Sequence, residues 1–157
     1  MKAMIEGVKV KKLKVVKDER GRLMEILRAD DDLFEEFGQV YITTAYPGVL
    51  KAWHYHELQD DNFTCVKGTM MLGLYDGREG SPTFGNTEKY LISLDDPMLV
   101  HIPRGVYHGF RCIGGEEAMV VNMVTRPYDR NNPDEYREDP FTEKIPFDWG
   151  EGVTVWG

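Results

Sequence analysis

The chain has 157 residues and a formal net charge of -8, with 41% hydrophobic and 29% charged residues. That length and balance suit one domain, residues 1–157, with a real core, and exclude wholesale disorder. The acidic balance argues against a general nucleic-acid binder, because phosphate backbones repel it. Val8, Val10, Leu13 and Val15 alternate loosely with lysines, which predicts an edge strand over Val8–Val16. Asp31–Glu36 reads as the one helix, of a turn or two. Val40, Ile42 and Thr44 alternate, as do Leu50, Ala52, His54 and His56, whose shared face reads as a barrel interior. Phe63, Cys65 and Lys67 lead to a turn at Gly68, with Thr69–Tyr75 as the partner strand. Tyr90–Leu94, Met98–Ile102, Gly109–Ile113 and Ala118–Val124 continue the series. Turn signals at Asp76-Gly77, Asp95-Asp96-Pro97 and Gly114-Gly115 separate them. So many short strands predict an all-β sandwich or barrel. The C-terminal Ile145–Trp156 carries Phe147, Trp149 and Trp156, so it is expected to pack on the barrel or on a second subunit.

The N-terminus is charged throughout and has no apolar signal-peptide core, and no apolar run reaches the length of a membrane span. A cytoplasmic protein with no membrane partner is expected. Cys65 and Cys112 fit reduced core thiols, with a disulfide between them left open.

The histidines are His54, His56, His101 and His108. His54 and His56 are two apart on a strand and point the same way. Two imidazoles inside a small barrel are costly unless they bind something or hydrogen-bond each other. A lone buried histidine is ordinary; a His-Tyr-His pair with a distant Pro-Arg-Gly-Val-Tyr-His points to a site.

The spacing of Gly48, His54, His56, Asp61 and Gly68 resembles the first motif of the cupin superfamily, with Asp61 where glutamate is usual. Pro103-Arg104-Gly105-Val106-Tyr107-His108 resembles the core of the second. The resemblance implies a cupin double-stranded β-helix, a jelly-roll barrel with an N-terminal edge strand and a short packed C-terminal tail. It also implies a possible divalent metal site of His54, His56, Asp61 and His108.

A narrower resemblance covers most of the chain. Asp18-Glu19-Arg20-Gly21 with Glu25, Gly48-Val49-Leu50-Lys51-Ala52-Trp53-His54-Tyr55, Asp76-Gly77-Arg78 with Ser81-Pro82-Thr83-Phe84-Gly85, Ile102-Pro103-Arg104-Gly105 with His108-Gly109-Phe110, and Thr125-Arg126-Pro127-Tyr128 resemble the dTDP-4-dehydrorhamnose 3,5-epimerase family. That resemblance implies a nucleotide-linked 4-keto-6-deoxy sugar as substrate, in dTDP-rhamnose or polysaccharide biosynthesis, and a homodimer with an exchanged N-terminal strand. The C4 ketone acidifies C3 and C5, so a base removes a proton from one face and an acid returns one from the other. By the resemblance His54 is the base and Tyr128 the acid. Arg20, Glu25, Lys51, His108 and Arg78 are expected around the nucleotide, its rim or the enolate.

The sequence also departs from the family. Gln59-Asp60-Asp61-Asn62 stands where an enolate-stabilising lysine is usual, His56 replaces a glutamine, and Lys51 replaces an arginine. The aspartate that orients the histidine has no clear counterpart; Asp60 or Asp61 are candidates. Lys51, three residues from His54, should face away from it unless the strand bulges. The first reading is an epimerase with no cofactor. The alternatives are a metal-dependent cupin enzyme of unknown substrate and a non-catalytic cupin.

Overall fold

Alternating side chains and glycine-marked turns divide the chain into β1 (Lys9–Lys12), β2 (Val15–Asp18), β3 (Gly21–Met24), β4 (Gln39–Ala45), β5 (Val49–Tyr55), β6 (Asp61–Lys67), β7 (Thr69–Asp76), β8 (Thr87–Ser93), β9 (Met98–Ile102), β10 (Val106–Ile113), β11 (Ala118–Val124), β12 (Tyr136–Arg137) and β13 (Val155–Trp156). The computed structural model describes residues 4–157. Five strands form one sheet in the order β1-β9-β6-β11-β4, and β12-β5-β10-β7-β8 form the other, with β13 parallel to β5 at its edge. Apolar residues from both sheets meet in one core that includes Phe63, Leu72, Ile92, Val100, Phe110 and Val120. This is the all-β jelly-roll barrel that the motifs imply.

Several local expectations are corrected. Asp31–Glu36 is not a helix: Asp31 and Phe34 each donate their N–H three residues back, to Arg28 and Asp31, which makes consecutive turns. Asp30, Asp31 and Asp32 favour turns over helix interiors, and the Asp31 side chain caps the Arg28 N–H. Val8–Val16 is two strands rather than one. β1 closes the edge of the five-stranded sheet against β9, whereas β2 leaves the barrel and forms a hairpin with β3. On β4, Val40 and Ile42 are 51% and 59% exposed, whereas Tyr41 and Thr43 line the inner cavity, Tyr41 still with 39% of its surface exposed.

Leu50 and Ala52 do not share the interior face of His54. They pack with Trp53, Met71, Ile145 and Trp149 in a second cluster on the outside of the sheet. The tail therefore docks on its own barrel. Trp149 lies 4.9 Å from Trp53 between ring centres, and Gly73 leaves the room that Trp149 and Phe147 occupy. The buried Arg111 guanidinium donates to the carbonyls of Trp149 and Glu151, both at 2.8 Å. Cys65 and Cys112 are buried and unjoined.

Candidate active site

β5 and the residue that follows it supply three polar side chains to one cavity because the register of β5 against β10 slips by one residue. His108 pairs with His54, but Phe110 pairs with Lys51, so Ala52 and Trp53 together face Gly109. A bulge of this kind reverses the side-chain alternation. Gly109 permits it, since a Cβ there would run into Ala52. The result puts Lys51, His54 and His56 on the lining of one cavity of about 180 Å³, with His108 from β10. Tyr41 and Thr43 enter from β4 in the other sheet, and the Lys51 ammonium donates to Thr43 Oγ1 at 3.2 Å.

His54 is desolvated. Burial, with His108 nearby, pushes its pKa down to about 4, so the ring is a neutral base at pH 7. Its buried Nδ1 makes no well-formed hydrogen bond among the described residues, and the carboxylate beside it is Glu135, with Oε1 at 3.4 Å. Glu135 lies one residue before β12, which pairs with β5 at Tyr55 and His54. Glu135 is not among the candidates that the sequence offers. Its DRNNPDEYRED segment reads as a polar loop, and no local signal places it beside a histidine some 80 positions earlier in the chain.

Asp60 and Asp61, the sequence candidates for that orienting role, are committed elsewhere. Asp61 Oδ2 lies 3.3 Å from His56 Nε2 and 3.2 Å from His108 Nε2. Its carboxylate also accepts from Gln59 Nε2 and Asn122 Nδ2. Burial opposes ionisation, but these donors hold Asp61 well below the usual carboxylate range. Burial also disfavours a charged His56, yet the Asp61 carboxylate and the Asp134 carbonyl at Nδ1 (2.6 Å) outweigh it and raise its pKa to about 9.

The ligand atoms of His56, Asp61 and His108 lie within 4.8 Å of one another, and His54 is not part of that group. The four-residue metal set is thereby corrected to three. Each of the two imidazoles sets its Nδ1 against a backbone carbonyl, of Asp134 or Val106, which is how metal-ligating histidines are commonly fixed. This donor set fits a divalent ion, which His56, Asp61 and His108 would hold and which would polarise a substrate oxygen.

Tyr128 is 52% exposed and lines a neighbouring cavity of about 240 Å³, which shares Tyr41, His56 and Glu135 with the first. Its backbone N–H donates to Gln39 Oε1 at 2.7 Å. Arg20 pairs with Asp18 on the β2–β3 hairpin, and Glu25 faces Arg28 just beyond it; neither lines the cavity. Arg78 is bound at Nε and Nη2 to the buried Asp76 carboxylate and at Nη2 to the Glu6 carbonyl. Ser81 and Thr83 donate to the same carboxylate, so the Asp-Gly-Arg and Ser-Pro-Thr-Phe-Gly motifs form a loop brace and do not line the His54 cavity. His101 also lies apart, held between Asn62 and Asp60.

The sequence model of dTDP-4-dehydrorhamnose 3,5-epimerase matches residues 2–155. The chain belongs to that family. It is 45% identical over 146 residues to the spore coat polysaccharide biosynthesis protein SpsL of Bacillus subtilis, covering 93% of this chain and 97% of that one. It is 41% identical over 154 residues to the probable low-salt glycan biosynthesis epimerase Agl13 of Haloferax volcanii, covering 97% and 94%. A dTDP sugar isomerase of Desulfovibrio desulfuricans superposes with a TM-score of 0.87 at 32% identity, over 96% of each chain. The Legionella pneumophila dTDP-6-deoxy-D-glucose-3,5-epimerase, solved with dTDP-4-keto-L-rhamnose, gives 0.86 at 26% identity, over 98% of this chain and 85% of that one. This member of the epimerase family therefore carries an isomerase fold over nearly all its length, with Glu135 as the carboxylate beside His54 and an Asp61 hub between His56 and His108.

Proposed function

We propose that this epimerase inverts a carbon next to the ketone of a nucleotide-linked 4-keto-6-deoxy sugar, with thymidine diphosphate as the carrier and without a metal. The observation that carries the reading is His54: a neutral, desolvated imidazole on the lining of a cavity, with a carboxylate behind its Nδ1. His54 Nε2 takes the proton from C3 or C5. The C–H electron pair becomes the enolate double bond, and the charge moves to O4. The Glu135 carboxylate supports the imidazolium as it forms. Tyr128, on the adjoining cavity, returns a proton from the other face. Lys51 meets the diphosphate as a point charge, and His108 holds the floor of the site through Asp61.

Arg20, Glu25 and the β2–β3 hairpin fit a homodimer in which the hairpin of one copy reaches the other. The exposed Val16, Leu23, Val40 and Ile42 supply apolar surface for such a contact. No helix among the described residues is long and apolar enough to cross a membrane. We place the protein in the cytoplasm with polysaccharide precursor synthesis.

The decisive experiment incubates the protein with a thymidine diphosphate-linked 4-keto-6-deoxy sugar in deuterated water. Deuterium should enter at C3 or C5, and an unchanged substrate would remove the reading. The His56–Asp61–His108 cluster gives the metal-dependent reading its one support. Metal analysis of protein purified without added metal separates the two: stoichiometric metal, with activity lost to a chelator, favours the second.

A further inference from the structure

Removing a proton beside a ketone leaves charge on O4, and that oxygen needs a donor that is in place beforehand. Most polar side chains on the cavity have already committed their protons. His56 and His108 each face an acceptor at both ring nitrogens. His54 is the base. The ring of Tyr41 differs, and the reason lies one strand away in Asn122.

Asn122 is fully buried on β11 and pairs with Tyr41 on β4. Its amide can sit only one way round. Oδ1 accepts the Asn62 backbone N–H at 3.1 Å, so Nδ2 points the other way. The two Nδ2 hydrogens go to the Tyr41 hydroxyl oxygen at 2.8 Å and to Asp61 Oδ2 at 3.2 Å. The Tyr41 oxygen is thus an acceptor in this network, and its own proton has no acceptor among the described residues. Burial near Asp61 raises the phenol pKa to about 12, so the proton stays on. The hydroxyl belongs to the five-stranded sheet, whereas His54 belongs to the six-stranded one, and both side chains line the same cavity. Phe63 and Phe110 form part of its wall, and a weakly polar wall strengthens a hydrogen bond to a charged oxygen.

We propose that Tyr41 donates a hydrogen bond to the C4 oxygen and stabilises the enolate, with Asn122 as its positioning residue. The proposal rests on the epimerase reading above. As the C–H bond breaks, its proton goes to His54 and its electron pair forms the enolate, whose O4 charge the Tyr41 O–H meets. Reprotonation at carbon returns the pair, and Tyr41 keeps its proton throughout. Lys51 retains free N–H groups, but a flexible ammonium held by Thr43 suits the diphosphate.

Tyr41→Phe deletes only the hydroxyl. Its deuterium wash-in at saturating substrate should fall about a hundredfold to a thousandfold, the usual cost of losing one such donor. Titrated thymidine diphosphate binding should be unchanged. Lys51→Met should do the reverse, weakening nucleotide binding more than wash-in. Wash-in by Tyr41→Phe at the unmodified rate overturns the assignment. Absence of wash-in from the unmodified protein removes the epimerase reading and this assignment with it, so the two failures look different. If Tyr41→Phe loses nucleotide binding, 3-fluorotyrosine at position 41 replaces it as the test. That residue keeps the hydroxyl and makes it a stronger donor, so wash-in should be at least as fast as in the unmodified protein. A slower rate overturns the proposal.

Discussion

Glu135 Oε1 lies 3.4 Å from the buried Nδ1 of His54, although the two residues are about 80 positions apart in the chain. The contact exists because β12 pairs with the end of β5. Near a desolvated imidazole, a carboxylate stabilises the charged ring that proton abstraction creates. Glu135→Gln keeps the shape and removes the charge. A hydrogen bond to a charged group is worth about 1.5–3 kcal/mol, so kcat for exchange should fall roughly tenfold to a hundredfold. Unchanged exchange in this variant would show that Glu135 is a bystander.

His54 should set the acid limb of the reaction. Burial and His108 lower its pKa to about 4, so the free base persists well below the pH at which an ordinary histidine protonates. A pH profile of wash-in should therefore stay flat from neutrality down through pH 6 and decline towards pH 4. A limb at the ordinary histidine value would contradict the desolvated site. His54→Asn should abolish both exchange and inversion.

Tyr128→Phe should separate the two half-reactions. Exchange needs the base and the enolate donor, whereas inversion needs an acid on the opposite face. Product analysis should show deuterium wash-in retained and inversion reduced about a hundredfold to ten-thousandfold. Equal loss of both would place Tyr128 in enolate formation instead.

His56 links the site to stability. Its folded pKa of about 9 lies above the ordinary 6.5, so its contribution is complete below pH 6.5 and is lost as pH rises through 9. The thermal midpoint should decline across that window. His56→Gln retains an N–H for Asp61 but does not titrate. It should flatten the decline and lower stability at pH 7 by about 1–3 kcal/mol, with activity largely kept. Loss of all activity together with a bound metal would favour the metal-dependent reading.

The exposed apolar residues of β4 and the β2–β3 hairpin should be covered by a second copy. Light scattering at micromolar concentration should give twice the mass of the 18.1 kDa chain. A charge at an apolar contact is strongly disfavoured, so Ile42→Lys should shift the population towards monomer. A monomeric unmodified protein would end the dimer proposal.

Much of this protein was determined by sequence alone. Period-two alternation, glycine-marked turns and two histidine motifs are local properties, and they specified the barrel, the family and the candidates His54, His56, Asp61 and His108. Only the tertiary structure decided how those candidates divide. The β5–β10 bulge brings Lys51 onto the face of His54 and sends Leu50 and Ala52 to the tail-covered outside, because one slipped residue reverses every side chain beyond it. Asp61 meets His56 and His108 rather than His54 because β6, facing them from the opposite sheet, sets its Oδ2 3.3 Å and 3.2 Å from their two Nε2 atoms. Tyr41 and Thr43 face inward and Val40 and Ile42 outward because this end of the barrel is a polar cavity, which inverts the usual pattern of apolar inside and polar outside. Glu135 and Arg78 show the same limit from opposite sides. One is an unremarkable loop carboxylate that reaches the base, and the other is a motif residue held by Asp76 away from the cavity. Long-range strand pairing and burial assign those roles, and neither is written in the residues next to them in the chain.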